Sequence, residues 1–324
     1  MSETVISDEE RLRERRRAAM HTRDGLEKHA QVLRVKAEDA RARVLAEIGA
    51  LGLEANLTEL ESVGYTTIKG VLNADTIKRA KAAIVARVEA QTGRSIDLEH
   101  ATAEDFEGMS YVPYLLYDDE VFEEILLEPR PLALMRYLLG ESCLLSSLGC
   151  HFKGMGETGV VPLHSDNGNG MPSPYPPYSQ VANINYALTP YSREAGALAL
   201  VPGSHLWARQ PSAHEIVLGG DLSNPAAISM DLAPGDAVIW HGNTWHGSYP
   251  REVPGIRMNL AAYMCRQYVQ TQEAHKDHTP QDVLERHANN QPFLNLLGAK
   301  QPYGWQADGP DFSIMQHNPV GFFD

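Results

Sequence analysis

Apolar positions recur along this chain with two different periods, and the change from one to the other divides it. From residue 8 to about residue 52 they fall at three- and four-residue steps through Leu26, Ala30, Leu33, Ala37, Ala40, Val44, Ile48 and Leu51. That spacing lines one face of a helix, with Gly25 and Gly49 as weak points. A second helix is expected over 74–92. Asn73 or Asp75 is its cap, because a short polar side chain can accept from an otherwise unpaired amide of the first turn. Residues 120–139 read as one or two helices, interrupted at Pro129 and Pro131 where a backbone donor is missing. From about residue 142 the pattern turns to strands, which alternate with turns out to about residue 270. The stretch from His275 through Leu297 reads helical again, and the tail beyond Leu297 is irregular and rich in Gly, Pro and aromatics.

Helices followed by many short strands predict a mainly β fold with flanking helices. Its core would be a double-layered antiparallel jelly roll, a cupin-like double-stranded β-helix. The expected organisation is a helical N-terminal extension over 1–54 and one jelly-roll domain over 55–324 that ends in a helical segment. The extension is too short in heptads for a coiled coil. It leaves open packing on the barrel, pairing in a homodimer, or both.

Two strands carry polar residues on a face that should be interior. In Val181 to Leu188, Asn183 and Asn185 point the same way, toward a cosubstrate, a substrate, ordered water or bulk solvent. In Ile256 to Cys265, alternation puts Arg257, Asn259, Ala261 and Tyr263 on one face and Met258, Leu260, Ala262 and Met264 on the other. An arginine on the interior face of a barrel strand is costly unless an anion meets it, and a bound carboxylate or a protein carboxylate would serve.

The candidate metal chemistry lies at His164-Ser165-Asp166 and at His246. On an extended segment, His-x-Asp sends an imidazole and a carboxylate to the same side. The turn Pro234-Gly235-Asp236, an apolar strand and a kink at Gly242-Asn243 deliver His246 from elsewhere. Two histidines and one carboxylate occupy one face of a metal and leave the other open, which suits non-haem Fe(II).

On these residues the chain resembles the phytanoyl-CoA dioxygenase group of Fe(II)/2-oxoglutarate-dependent oxygenases. The resemblance is carried by His164-Ser165-Asp166, by Gly196 through Pro202-Gly203-Ser204-His205, by Pro234-Gly235-Asp236 leading to His246-Gly247-Ser248, and by Arg257. Leu60 through Leu72 looks like the family's usual opening, so the similarity runs from about residue 55 to about residue 270. The resemblance implies that His164, Asp166 and His246 hold Fe(II), and that Arg257 binds the distal carboxylate of 2-oxoglutarate with a hydrogen bond from Ser248. Asn185 is a further candidate for the cosubstrate. Asn183, Tyr175, Tyr178 and Trp245 are candidates for the substrate. O2 would complete the reaction, an oxidation of an unactivated C–H bond in a small, fairly apolar molecule with release of succinate and CO2. His205 and His241 are not counted as ligands. Asp166 argues against halogenation, because halogenating relatives replace the carboxylate with a small residue. The segment Tyr191 to Gly196 departs from the relatives, many of which carry an acidic residue beside Asn-Gly there. A same-fold metal enzyme without 2-oxoglutarate, or a non-catalytic jelly-roll binding protein, are the alternatives. An intact ligand set together with Arg257 weighs against both.

Composition bounds the partners. Of 324 residues 43% are hydrophobic, ample for a globular core. The formal net charge of −14 argues against a nucleic-acid surface and mildly against a highly anionic substrate such as a CoA thioester. The basic run from Arg11 to Arg17 sits among acidic residues and reads as a solvated helix face, with a partner or membrane contact as the alternative. No apolar run reaches a membrane span, and the acidic, polar start lacks the features of a secretory signal. Cys143, Cys150 and Cys265 suggest neither a disulfide framework nor a zinc site. A cytoplasmic setting is therefore expected.

Overall fold

The computed structural model describes residues 22–106, 110–155, 161–168, 170–299, 305–306 and 309–310. Two antiparallel sheets form the body. The larger has the strand order β1-β8-β5-β10-β3-β2, from Tyr65–Ile68 (β1), Tyr111–Val112 (β2), Leu144–Gly154 (β3), Val181–Ala187 (β5), Ala237–His241 (β8) and Ile256–Cys265 (β10). The smaller has the order β4-β9-β6-β7, from Val161–His164 (β4), Leu198–Leu200 (β6), Ile228–Ser229 (β7) and His246–Ser248 (β9). This is the jelly roll that the strand pattern predicts.

β10 divides the molecule. Its Met258, Leu260, Ala262 and Met264 enter the large core, where helices cover the outer face of the larger sheet. Its Arg257, Asn259, Ala261 and Tyr263 face the space between the two sheets. The approach to β8 shows how turn chemistry fixes the frame. Gly235 takes a φ of 93°, and a Cβ there would stand 2.5 Å from the Leu72 carbonyl oxygen. Asp236 accepts from the amides of Gly70 and Ala233 and pairs with Lys69, which ties the exit of β1 to the start of β8.

The helices come from Arg23–Ala50 (α1), Glu54–Val63 (α2), Ala74–Thr92 (α3), Glu120–Leu126 (α4) and Pro129–Leu139 (α5). Pro129 begins α5 rather than breaking a helix, since the first turn needs no donor from it. Residues 8–21 of the expected first helix lie outside the described residues, as do the side chains of Leu26, Ala30, Leu33 and Ala37. Ala40, Val44 and Ile48 are buried, and α1 packs on α5 of the same chain. Arg43 forks onto Glu141, and Arg136 pairs with Glu47 across the same contact. Beyond β10 the expected helical segment is three short helices, His275–His278 (α6), Gln281–Arg286 (α7) and Gln291–Leu296 (α8). Pro280 cannot donate into a continuing helix, and Asn290 caps a new one by accepting from Phe293 N–H. No helix among the described residues is long and apolar enough to cross a membrane.

Asn73 is the cap of α3, with its side chain accepting from the Thr76 amide at 2.9 Å. Asn73→Ala should cost about 1 kcal/mol, seen as a lower urea midpoint with an unchanged slope. An unchanged midpoint would show that this cap adds nothing to stability.

Candidate metal and cosubstrate site

β4 and β9 place His164 directly opposite His246 in the smaller sheet. Asp166 reaches them by a different route from the one alternation predicts. The strand stops at His164, and Asp166 opens one turn of 3-10 helix, Asp166–Gly168. Two clamps hold that turn. Gln210 brackets the Ser165 peptide, accepting from its N–H and donating to its carbonyl. The Gly242 carbonyl accepts from both the Ser165 hydroxyl and the Asp166 amide. Gly242 is required there, since a Cβ would stand 2.2 Å from the Val181 carbonyl oxygen.

The donor atoms of His164, Asp166 and His246 all lie within 4.8 Å of one another. Each histidine spends its Nδ1 on a backbone carbonyl, His164 on Pro162 at 2.9 Å and His246 on Thr244 at 3.0 Å. In the neutral rings Nδ1 therefore carries the proton, which leaves both Nε2 atoms, at 3.6 Å and 3.7 Å from Asp166, as the nitrogens open to a metal or to a second proton. Asn183 donates to Asp166 Oδ2 at 2.6 Å and orients the carboxylate. Burial would raise the Asp166 pKa, but the two histidines and Asn183 outweigh it and hold it below the ordinary range. Burial pushes His246 down to about 4 and keeps it neutral. At His164 burial is outweighed by Asp166, and its pKa rises. Two neutral-capable imidazoles with fixed tautomers and one ionised carboxylate fit a divalent metal with open positions.

Removing the Asn183 bond should loosen the carboxylate without removing a donor. Asn183→Leu is expected to weaken divalent-metal affinity roughly 10–100-fold, measured by Co(II) titration on protein with a native circular-dichroism spectrum. Wild-type affinity in that variant would show that Asp166 is oriented by other contacts.

The three donors and Arg257 line one cavity of about 320 Å³, and along β10 Arg257 is six residues from Tyr263, which pairs with the Asn183 that bonds Asp166. Arg257 is 4% exposed, bonds the Gly196 carbonyl through one guanidinium nitrogen, and stands 5.1 Å over the Tyr191 ring. Its Nε has no partner, and no carboxylate among the described residues pairs with it. Asn259, fully buried, has neither amide atom bonded, and Asn185 Oδ1 is also unbonded. Both line the same cavity. Buried polar atoms left together without partners around a cavity mark a place for a polar ligand.

Ser248 lines the cavity beside Arg257, and its hydroxyl accepts from Lys153 Nζ at 3.0 Å. A hydroxyl that accepts from an ammonium keeps its own proton to donate. Lys153 is buried, also bonds the Tyr249 carbonyl, and stands opposite Arg257 in the β3–β10 register. His151, opposite Asn259, is pushed down to about 3 by burial and by the Arg257 and Lys153 charges, and so is neutral. Alternation along β10 puts Asn259 on this face without giving it a role, whereas Lys153 and His151 on β3 go unnoticed in the sequence. The signal was the alternation of Ser147, Gly149, His151 and Lys153 with Leu148, Cys150 and Phe152 along β3.

Of the substrate candidates, the structure brings Asn183 to the cavity and places the other three elsewhere. Trp245 precedes His246 on the strand and so faces the other way. It is fully buried among Leu163, Val201 and Tyr249, and its indole donates to the Arg209 carbonyl. Tyr175 is buried outside the cavity lining. Tyr178 is 45% exposed beneath the Arg266 guanidinium, also outside it. His205 and His241 pack against each other away from the three donors, as a turn residue and a strand residue.

Comparison with known proteins agrees with this geometry. The family model for phytanoyl-CoA dioxygenase (PhyH) matches residues 60–259. A protein called dioxygenase af480 from Aspergillus fumigatus is 28% identical over 205 residues, 61% of this chain and 62% of that protein. Dioxygenase trt7 from Aspergillus terreus is 31% identical over 99 residues, about a third of either chain. This chain thus matches less than two thirds of the length of these relatives. Among solved structures, HygX from Streptomyces hygroscopicus with nickel and 2-oxoglutarate bound covers 67% of this chain and 88% of its own, at TM-score 0.52 and 17% identity. EctD from S. alaskensis with 2-oxoglutarate and 5-hydroxyectoine covers 64% and 74%, also at 0.52 and 17%. At that identity the likeness establishes the fold. The family match spans most of the chain, from the helix before β1 through the middle of β10, and takes in every residue of the three-donor group and Arg257, so the chain belongs to the phytanoyl-CoA dioxygenase family.

Proposed function

We propose that this chain is an Fe(II)/2-oxoglutarate-dependent oxygenase that hydroxylates an unactivated C–H bond of a small organic molecule. The observation that carries the reading is Arg257, a buried cation with no carboxylate partner among the described residues, lining the same cavity as a His-Asp-His group and unbonded amide atoms of Asn185 and Asn259. A dicarboxylate fits both ends of that cavity. One end meets Arg257 and the proton of Ser248. The other would meet a metal, which His164, Asp166 and His246 would hold.

The overall conversion balances as substrate C–H plus O2 plus 2-oxoglutarate to alcohol, succinate and CO2. Bound Fe(II) supplies the O2 and one-electron chemistry. The chain's own residues set the conditions for it. The Pro162 and Thr244 carbonyls keep the two imidazoles in the tautomer that leaves Nε2 free. Asn183 donates to Oδ2 and orients the Asp166 carboxylate, which would leave Oδ1 the freer oxygen for a metal. Lys153 donates to Ser248 Oγ, which leaves the hydroxyl proton of Ser248 free to donate to a ligand. Asn185, between the two ends on β5, is left to bond the cosubstrate.

The test is anaerobic addition of Fe(II) and 2-oxoglutarate, watched for the visible charge-transfer band of the chelate, then O2-dependent succinate release. A folded protein that binds iron but shows no band would remove 2-oxoglutarate from the mechanism.

A further inference from the structure

A second cavity, of about 540 Å³, adjoins the first, and the two share Asp166, Tyr263 and Gln272 in their walls. It runs outward. Gly170, Pro172 and Gln270 at its mouth are exposed, whereas Asp166, Asn167 and Val181 at its floor are buried. The Asp166 carboxylate thus stands between an inner space that ends at Arg257 and an outer one that ends at solvent.

Two properties of the outer space define what fits it. The first is charge. Among the described residues Asp166 is the one formally charged side chain that lines it, and no described lysine, arginine or histidine does. A carboxylate or phosphate entering there would lose hydration with no cation to replace it. An ammonium would find only a carboxylate already committed to the two histidines and Asn183. The second is an unbonded acceptor. Asn243 donates its amide N–H to the Pro176 carbonyl, so its Oδ1 must face Asn167. Asn167 answers with its own Nδ2. That leaves Asn167 Oδ1, on a side chain 4% exposed in the wall of the cavity, as a buried oxygen with nothing bonded to it. The orientation of both amides is set by the chain of bonds.

We infer that this outer cavity is the substrate site, that its substrate is an uncharged molecule with an apolar body, and that a hydroxyl or amide N–H of that molecule donates to Asn167 Oδ1. The apolar body packs against Met171, Val181 and Val269. The bond to Asn167, the residue after Asp166, fixes which carbon faces the metal. The inference names the substrate class for the oxygenase reading above and rests on it for the reaction. By the same charge argument, the anionic head of an acyl-CoA thioester would find no cationic partner among the described lining residues of this cavity.

The test is equilibrium dialysis of the full-length Fe(II)-loaded protein without O2, with and without 2-oxoglutarate. The probes are decanol, decanoate and decanoyl-CoA, and testosterone with its hemisuccinate. The neutral members should be retained. Asn167→Ala should weaken them about tenfold, the loss of one neutral hydrogen bond. Met171→Trp, which fills the cavity, should abolish retention while the anaerobic 2-oxoglutarate band persists as proof of a folded, loaded site. Tighter retention of decanoate or decanoyl-CoA than of decanol overturns the inference. So does failure of both neutral probes, or retention that ignores both substitutions. Asn167-dependent retention in a protein that shows no 2-oxoglutarate band would uphold the cavity assignment and sink the cosubstrate reading, so the two fail separately.

Discussion

His246→Ala is expected to leave a folded protein that neither keeps iron nor releases succinate. His246 supplies one of three donors, and its ring is fixed by β9 opposite His164 and by the Nδ1 bond to Thr244. Removing an outer residue that merely orients a ligand costs roughly 10–100-fold in metal affinity. Losing the donor itself should exceed that range, and two remaining donors do not hold Fe(II) through a desalting column. The fold should survive. The smaller sheet keeps its backbone bonds at this position, and the ring's neighbour Trp240, at 5.0 Å, belongs to a cluster with Leu198, Leu200 and Val238 that does not need the imidazole. Iron content after desalting and O2-dependent succinate are the measurements. Stoichiometric iron with near wild-type turnover would show that His246 is not a ligand.

The strands that carry the site are legible where alternation is clean. Ile256–Cys265 has the bounds and the two faces that its sequence predicts, because every second residue is apolar and core-bound while the others are not. Asn183 and Asn185 obey the same rule on β5. Strand β3 is harder to read. Its register on β10 shifts between Tyr263 and Met264, and the adjacent Ser146 and Ser147 break the period of two at that point. The face carrying Ser147 and His151, with Lys153 in line beyond them, is visible only once the frame is restarted beyond the bulge. Alternation misleads at Asp166, which arrives by a turn pinned by Gln210 and Gly242, contacts remote in sequence. Tyr175 and Tyr178 lie in a loop whose side-chain directions are set by distant partners, the Ala208 carbonyl for the Tyr175 backbone and Arg266 for the Tyr178 ring. The outer cavity was illegible for the same reason. Its walls come from segments before β5 and after β10 that no local pattern links. The N-terminal helix is a mixed case. Its apolar period shows that it packs, whereas the Arg43–Glu141 and Arg136–Glu47 pairs that fix where it packs join residues far apart in the chain.

Arg257→Ala should separate cosubstrate binding from metal binding. A guanidinium forked onto a carboxylate makes two charge-assisted bonds, each worth roughly 1.5–3 kcal/mol. Losing both raises the Kd for 2-oxoglutarate about 10²–10⁴-fold. Lys153 and Ser248 remain at that end of the site, and a residual cation near the carboxylate places the expected loss toward the lower part of the range. The iron should stay, because Arg257 is not among the three donors and stands six residues along β10 from Tyr263, the position paired with the Asp166-bonding Asn183. Arg257→Lys should recover only part of the affinity, since an ammonium restores charge but not the planar fork. Titration of the anaerobic band with 2-oxoglutarate gives the affinities, and iron content gives the control. The role of the residue is then decided by saturation. If Arg257 only holds the far carboxylate, high 2-oxoglutarate restores kcat in Arg257→Ala and the defect stays in KM. A kcat that remains low at saturation would mean that a misplaced cosubstrate no longer presents its metal end correctly, and Arg257 would then align the reaction as well as anchor it. An unchanged Kd would leave the buried cation without its partner and would require a different ligand for the inner cavity.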